Sequence, residues 1–135
     1  KDHPLTGVGM NLFRDSAVRR DYPVPSFNQP VLPHTHNEYL QVATDLGLPG
    51  LALFIAWYTV MFYGLYRAYR FGSHRVQALA VGVAGGLVAH ALFGMGDAVT
   101  LWDRFAFVYW WLLALGNAVY YIARDKSNLY FANGS

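Results

Sequence analysis

The chain has 135 residues, enough for one ordinary domain, but its composition is unlike that of a soluble domain. Hydrophobic residues make up 55% and charged residues only 13%, roughly half of the usual share, so too few charges are available to cover a surface in water. The net charge of +2 and the lack of cysteine exclude a basic nucleic-acid-binding face and a disulfide-stapled secreted module. The composition therefore favours a membrane protein.

The segment 1–47 is polar, and four prolines fall within residues 21–33. Proline cannot donate a backbone hydrogen bond inside a helix, so this stretch predicts an extended loop. A short amphipathic helix is predicted over about residues 35–46, because Thr35 and Glu38 have the spacing of a capping box. The polar and apolar side chains of this helix lie on opposite faces, which suits a helix lying on a membrane surface.

Three long runs without charged residues follow, at residues 48–66, 76–96 and 105–123. At a rise of ~1.5 Å per residue, each run makes a helix of roughly 28–32 Å, close to the thickness of the hydrocarbon core of a bilayer. Gly47 is suited to end the preceding helix and Pro49 to open the first spanning one. The chain is therefore predicted to be an all-α integral membrane protein with three transmembrane helices.

The charges of the connecting segments predict how the chain crosses the membrane. The link 67–75 carries three arginines and no acidic residue, whereas residues 1–47 and 97–104 carry charges of both signs. The positive-inside rule places the link and the tail 124–135 in the cytoplasm and the other two segments in the periplasm. The end of the tail resembles a protease-cleavable tag. Because the chain begins with lysine, we expect it to be the later part of a longer protein.

His36 falls in the first turn of the predicted short helix, at the positive end of the helix dipole. This field disfavours the imidazolium, so we expect a neutral, proton-accepting His36 beside a helix terminus that attracts anions. A base and an anion site would then coincide where a lipid-linked phosphorylated donor presents its headgroup. Two other interpretations stay open, an ordinary loop histidine and a metal site at His34 and His36 that needs a third ligand.

Two short motifs resemble a known family. His36-Asn37, nine residues and then the segment 47–50, GLPG, are similar to the histidine motif of bacterial O-antigen ligases. Residues 1–13, KDHPLTGVGMNLF, are similar to the P-x-x-G-x-G stretch that opens the same outward loop in these enzymes. The resemblance covers about residues 1–60 and extends to the wider superfamily of ligases and polymerases.

The resemblance implies the C-terminal part of a glycosyltransferase of the bacterial inner membrane, with a larger GT-C-like helical bundle and an active site facing the periplasm. Such enzymes transfer a glycan from undecaprenyl pyrophosphate to a sugar hydroxyl of lipid A–core, and they use neither a metal nor another cofactor. The implied partners are this donor, this acceptor, membrane lipids and the remaining N-terminal helices of the same protein.

The residues of the motif correspond to the family's functional residues. His36 matches the catalytic histidine, and we expect it to accept the proton of the acceptor hydroxyl. Asp97 and Asp103 are interpreted as solvated residues at helix ends, and a part in shaping the acceptor site is the alternative. The other candidate site residues are Asn37, His34, Arg14 and Arg104, which would support catalysis or bind substrate, and Gly47 and Gly50, which would be structural.

Other functions are compatible with the same residues. A polymerase that extends the glycan, or a ligase that glycosylates protein, would use the same histidine, because only the acceptor changes. A non-catalytic transporter or scaffold would require more ionisable groups within the spanning segments. Only His90 is present there, and we interpret it as a hydrogen-bonded packing residue.

Overall fold

The computed structural model describes residues 3–10, 12, 15, 35–98 and 106–132, with side chains as far as residue 125. These residues contain three α-helices and no β-strand, namely α1 (Glu38–Phe71), α2 (His74–Phe93) and α3 (Ala106–Ala132). Each helix contains a stretch that is long and apolar enough to cross a membrane. The predicted all-α fold class with three candidate membrane spans is confirmed.

The apolar surface of the spanning segments points mostly outward. Only 17–28% of the most apolar window of each helix is buried within the chain, and large side chains such as Leu53, Val60 and Phe107 are exposed. An exposed apolar surface of this extent would promote association in water, whereas the hydrocarbon of a bilayer covers it. The low content of charged residues and the outward-facing apolar side chains thus have the same physical explanation, which is a surface covered by lipid.

Helix α1 is interrupted at Gly47, whose φ of 73° and ψ of −176° are not helical. The residues before Gly47 form a short helix of just over two turns, and the longer apolar helix follows. Pro49 lies at the start of this second part, where a missing N–H group costs little. Gly47 adopts the left-handed region that glycine tolerates best, and it therefore separates the short helix from the span.

The N-terminal end of α1 differs from the predicted capping box of Thr35 and Glu38. Asn37 is the capping residue, because its Oδ1 accepts a hydrogen bond of 3.0 Å from the backbone N–H of Leu40. The Thr35 hydroxyl instead donates to the carbonyl oxygen of Asn37, at 2.8 Å. Asparagine is at least as good an N-cap as threonine. The helix consequently begins at Glu38, and His36 precedes it instead of lying in its first turn.

The short helix turns its polar face inward, which the sequence did not indicate. Glu38, Gln41 and Asp45 are buried, whereas Leu40 is 59% exposed. The Gln41 amide donates to the Asp45 carboxylate at 3.0 Å and accepts from the backbone N–H of Thr35 at 3.2 Å. Mutual hydrogen bonding lowers the cost of burying these groups. The face that this helix leaves exposed is therefore more apolar than the face it buries.

The chain divides into two compact units. Unit 1 comprises residues 1–55 and 92–106, and unit 2 comprises residues 56–91 and 107–135. Unit 1 contains the short helix, the Gly47 break and the turn that follows α2. Unit 2 contains the packed parts of the three helices, with a core formed by buried side chains that include Met61, Leu65, Val83, Leu87, Tyr109 and Leu113.

His90 is a packing residue within unit 2. Its Nδ1 lies 3.0 Å from the hydroxyl oxygen of Tyr58, and its ring stacks on Tyr109 with centroids 4.9 Å apart. Tyr58 and Tyr109 are both buried. Its Nε2 is buried and has no hydrogen-bond partner among the described residues. The contacts with two tyrosines agree with the interpretation of His90 as a hydrogen-bonded histidine of the helix packing.

Candidate functional site

The segment 3–10 docks onto the end of the short helix in unit 1. The backbone N–H groups of Val8 and Gly9 donate to the carbonyl oxygens of Thr44 and Asp45, at 2.8 and 3.2 Å. The last carbonyl groups of a helix have no partner within the helix, so a docked backbone segment can satisfy them. The segment thus closes the C-terminal end of the short helix.

Two glycines make this close approach possible. A Cβ atom on Gly7 would lie 2.5 Å from the carbonyl carbon of Asp45, and one on Gly47 would lie 2.6 Å from the carbonyl carbon of Leu5. Both glycines also have a positive φ, of 67° and 73°. At Gly50, a Cβ would overlap the Leu46 side chain across the helix break. Gly7 and Gly47, one from each motif, are therefore the points at which two backbones meet.

The other end of the short helix is joined to the turn after α2. The Asn37 side-chain amide donates to the carbonyl oxygen of Met95 at 3.1 Å, and the backbone N–H of Glu38 donates to that of Gly94 at 2.7 Å. Asn37 therefore caps α1 and binds a turn 58 residues further along the chain. Asn37 therefore holds His36 close to the residues that follow Met95.

His36 has a backbone conformation that side-chain-bearing residues rarely adopt. Its φ is 49°, which makes it the only non-glycine residue with a positive φ among the residues that the structure describes. Such conformations persist where the surrounding contacts impose them, and they are enriched at functional sites. The His36 side chain is 54% exposed. The flanking contacts of Asn37 therefore present an imidazole ring to the surroundings.

A carboxylate lies beside this ring. The Oδ1 atom of Asp97 is 3.6 Å from the Nδ1 atom of His36, and the same oxygen accepts a hydrogen bond of 2.8 Å from the backbone N–H of Ala98. Asp97 was interpreted from the sequence as a solvated helix-end residue. The structure instead pairs it with His36. Its position directly after an apolar span, on the side predicted for His36, was the signal that could have indicated this.

The arrangement of the pair has a chemical consequence. At 3.6 Å the Asp97 oxygen is just beyond hydrogen-bond distance of Nδ1, and a small rotation of either exposed side chain would allow Nδ1–H to donate to it, which would leave the lone pair on Nε2. The carboxylate also stabilises the imidazolium that forms when Nε2 accepts a proton, as in histidine–aspartate pairs of hydrolases. The pair of His36 and Asp97 can thus act as a general base.

The remaining candidates are placed as follows. Asn37 adjoins His36, and Gly47 and Gly50 form the opposite end of the short helix. His34, Arg14, Arg104 and Asp103 lie outside the described residues. Among the residues that are described, no three histidine, cysteine or acidic side chains are close enough together to hold a metal ion.

Comparison with known proteins gives one match. Residues 1–55 match a family model described as O-Antigen ligase. No curated protein and no solved structure matches the chain. The matched residues include the docked segment 3–10, His36, Asn37 and the glycines at which the backbones meet, so the match and the geometry concern the same part of the molecule. The match covers residues 1–55 of the 135, and it supports membership of the O-antigen ligase superfamily for this part of the chain.

Proposed function

We propose that the protein is a membrane glycosyltransferase that moves a glycan from undecaprenyl pyrophosphate to a sugar hydroxyl of lipid A–core, with His36 as the general base. The observation that carries the proposal is the exposed imidazole of His36 beside the Asp97 carboxylate. His36 lies within residues 1–55, which match the ligase family, and Asp97 lies outside them. Family membership supplies the reaction class, and the geometry supplies a base.

The reaction requires one bond to form and one to break. The acceptor hydroxyl oxygen attacks the anomeric carbon of the glycan, and the bond between that carbon and the pyrophosphate oxygen breaks. The pyrophosphate leaves with the electron pair of the broken bond, and the hydroxyl proton passes to Nε2 of His36. Asp97 then stabilises the resulting imidazolium. A positioned histidine base typically contributes ~10²–10⁴-fold to the rate.

The departing pyrophosphate requires positive charge. Arginine is suited to this role, because its planar guanidinium binds phosphate oxygens through two parallel hydrogen bonds. We include Arg14 and Arg104 in the proposed donor site, with His34 as a supporting residue. The resemblance to ligases implies further arginines on upstream helices of the same protein.

The proposed location is the bacterial inner membrane, with the site facing the periplasm. The link 67–75 contains three arginines and no acidic residue, which favours the cytoplasm. His36 precedes the N-terminal end of α1, whereas the link follows its C-terminal end. A single crossing by α1 therefore supports a site on the opposite side of the membrane, where the lipid-linked donor and the lipid A–core acceptor would meet.

The test is glycan transfer by the membrane-embedded protein carrying His36→Ala. We expect turnover to fall by ~10²–10⁴-fold at unchanged expression, since the base is lost. His74→Ala is the matched control, because His74 is an exposed histidine at the first residue of α2, and it should retain full activity. Near-normal turnover of His36→Ala would remove His36 from the mechanism.

The acceptor is tested separately, because the same base would serve a polymerase or a protein glycosyltransferase. Purified protein is incubated with a lipid-linked glycan and, in parallel, with lipid A–core, free glycan or a peptide. Transfer to lipid A–core is expected. Transfer to free glycan or to the peptide alone would replace the proposed acceptor and would leave the role of His36 intact.

A further inference from the structure

Unit 2 contains a groove on its membrane-facing surface. The groove has a volume of about 190 Å³ and runs between α1 and α3. Its lining includes Val60 and Gly64 on one helix and Gly116 and Tyr120 on the other. Apolar cavities of ~150 Å³ accept a guest as large as benzene. The groove therefore has room for a segment of a hydrocarbon chain.

Gly64 leaves part of this space open, whereas Gly116 lies against the packed core. A Cβ on Gly64 would be in ordinary contact with the Tyr120 ring, at 3.7 Å, and one on Gly116 would lie 2.5 Å from the terminal methyl group of Met61. A larger side chain at Gly64 would enter the groove, whereas one at Gly116 would displace core side chains. Met61, Tyr63, Asn117 and Tyr121 complete the lining, so the groove is mostly apolar and also contains amide and hydroxyl groups.

Arginines continue the lining faces beyond one end of the groove. Val60, Gly64 and Arg67 are spaced by four and three residues, which places them on one face of α1. Tyr120 and Arg124 are four residues apart, which likewise places them on one face of α3. Both arginines are exposed. Positive charge is thus available about one helical turn beyond the apolar groove.

The Arg67 side chain is held towards this end. Its guanidinium carbon lies 5.6 Å from the centre of the Phe71 ring, four residues further along α1. Arginines near the ends of spanning helices extend towards the headgroup region in this way. The adjoining link 67–75 adds two more arginines and one histidine and contains no acidic residue. Asp125 follows Arg124 but points to a different face of α3.

We propose that this groove is a binding site for an anionic glycerophospholipid. One acyl chain occupies the groove beside Gly64, and the phosphate of the headgroup binds Arg67. The positive charge selects an anionic headgroup over a zwitterionic one. The site lies at the link end of the spans and depends only on their insertion in a membrane, so it is independent of the glycosyltransferase proposal.

The amount of each lipid that stays bound to the extracted protein measures the occupancy of the site directly. The protein is reconstituted in nanodiscs of equimolar phosphatidylglycerol and phosphatidylcholine, extracted in detergent and examined by native mass spectrometry. We expect bound phosphatidylglycerol to exceed bound phosphatidylcholine. A basic residue near an anionic headgroup contributes about fivefold in binding, so Arg67→Gln should lower this preference by about that factor.

Two matched controls separate a site from general attraction. Arg75→Gln removes the same charge from the link, but Arg75 is an exposed residue of α2, which contributes no residue to the lining of the groove, so the preference should persist. Gly64→Leu should fill the groove and abolish retention of the lipid. Gly82→Leu should not, because a Cβ at Gly82 has no atom within 4 Å.

Three results would overturn the proposal. Equal losses for Arg67→Gln and Arg75→Gln would indicate diffuse surface charge. Unchanged lipid retention in Gly64→Leu, at a melting temperature equal to that of Gly82→Leu, would show that the groove is not the site. Displacement of phosphatidylglycerol by equimolar undecaprenyl phosphate would assign the groove to a polyprenyl chain.

Discussion

Replacement of Gly47 by alanine tests how the two motifs of unit 1 are joined. A residue with a Cβ loses about 1–2 kcal/mol in the left-handed conformation that Gly47 adopts, with its φ of 73°. The new Cβ would lie 2.6 Å from the carbonyl carbon of Leu5 and 2.7 Å from its oxygen. These are backbone atoms, so the docked segment must withdraw instead of rotating a side chain away.

Withdrawal also breaks the hydrogen bond of 2.8 Å that the Leu48 N–H donates to the Pro4 carbonyl oxygen. A hydrogen bond of this kind contributes about 1 kcal/mol. Together with the conformational cost, Gly47→Ala should weaken the docking of segment 3–10 by about 2–3 kcal/mol. At 1.4 kcal/mol per factor of ten, the docked state loses about 30- to 150-fold in its equilibrium constant.

Amide hydrogen exchange measures this loss in the segment itself. The N–H groups of Val8 and Gly9 donate to the end of the short helix, and their exchange should accelerate by the same factor. Gly82→Ala is the matched control, because Gly82 lies within α2 with no atom near its Cβ position. Alanine is the better helix former, so this variant should leave the exchange unchanged and stabilise slightly. Equal exchange of segment 3–10 in both variants would refute the docking argument.

Two further replacements test single contacts. Asp97→Asn should lower kcat about tenfold with little change in KM, because the imidazolium of His36 loses its carboxylate partner, and Asp97→Glu should restore part of the rate. A change confined to KM would assign Asp97 to substrate binding. Tyr58→Phe should destabilise the protein by about 0.6 kcal/mol, since it removes the hydrogen bond to His90 Nδ1, and thermal unfolding in detergent measures this loss. Tyr63→Phe, at an exposed position, should leave the melting temperature unchanged, and equal effects of the two tyrosine variants would argue against a role for the hydrogen bond.

The spanning segments could be predicted because their signal is local. A run of apolar residues long enough to cross a bilayer indicates a helix whatever its neighbours are. The break at Gly47 is similarly local. A glycine commonly ends a helix, and a proline two residues later, Pro49, suits the first turn of the next one. The histidine motif was identified in the same way, from residue types at fixed spacing.

The N-cap was predicted incorrectly because two polar residues compete for the same role. Thr35 and Asn37 can both accept a backbone hydrogen bond, and the sequence does not rank them. The bond between Asn37 and Met95 favours Asn37, because one side chain then satisfies the helix and a distant turn. This shift by two residues moved His36 out of the helix and into a left-handed conformation.

Apolar length, helix-breaking residues and the spaced histidine motif indicated the spans, the Gly47 break and the resemblance to the ligase family, because each depends on neighbours along the chain. The tertiary structure alone decided which partners the polar residues have. It buried Gln41 and Asp45 together and placed Asp97 against His36, which is 61 residues earlier in the chain. The physical reason is that hydrogen-bonding and charged groups take partners wherever the fold brings them within a few ångströms, and no periodicity in the sequence records those distances.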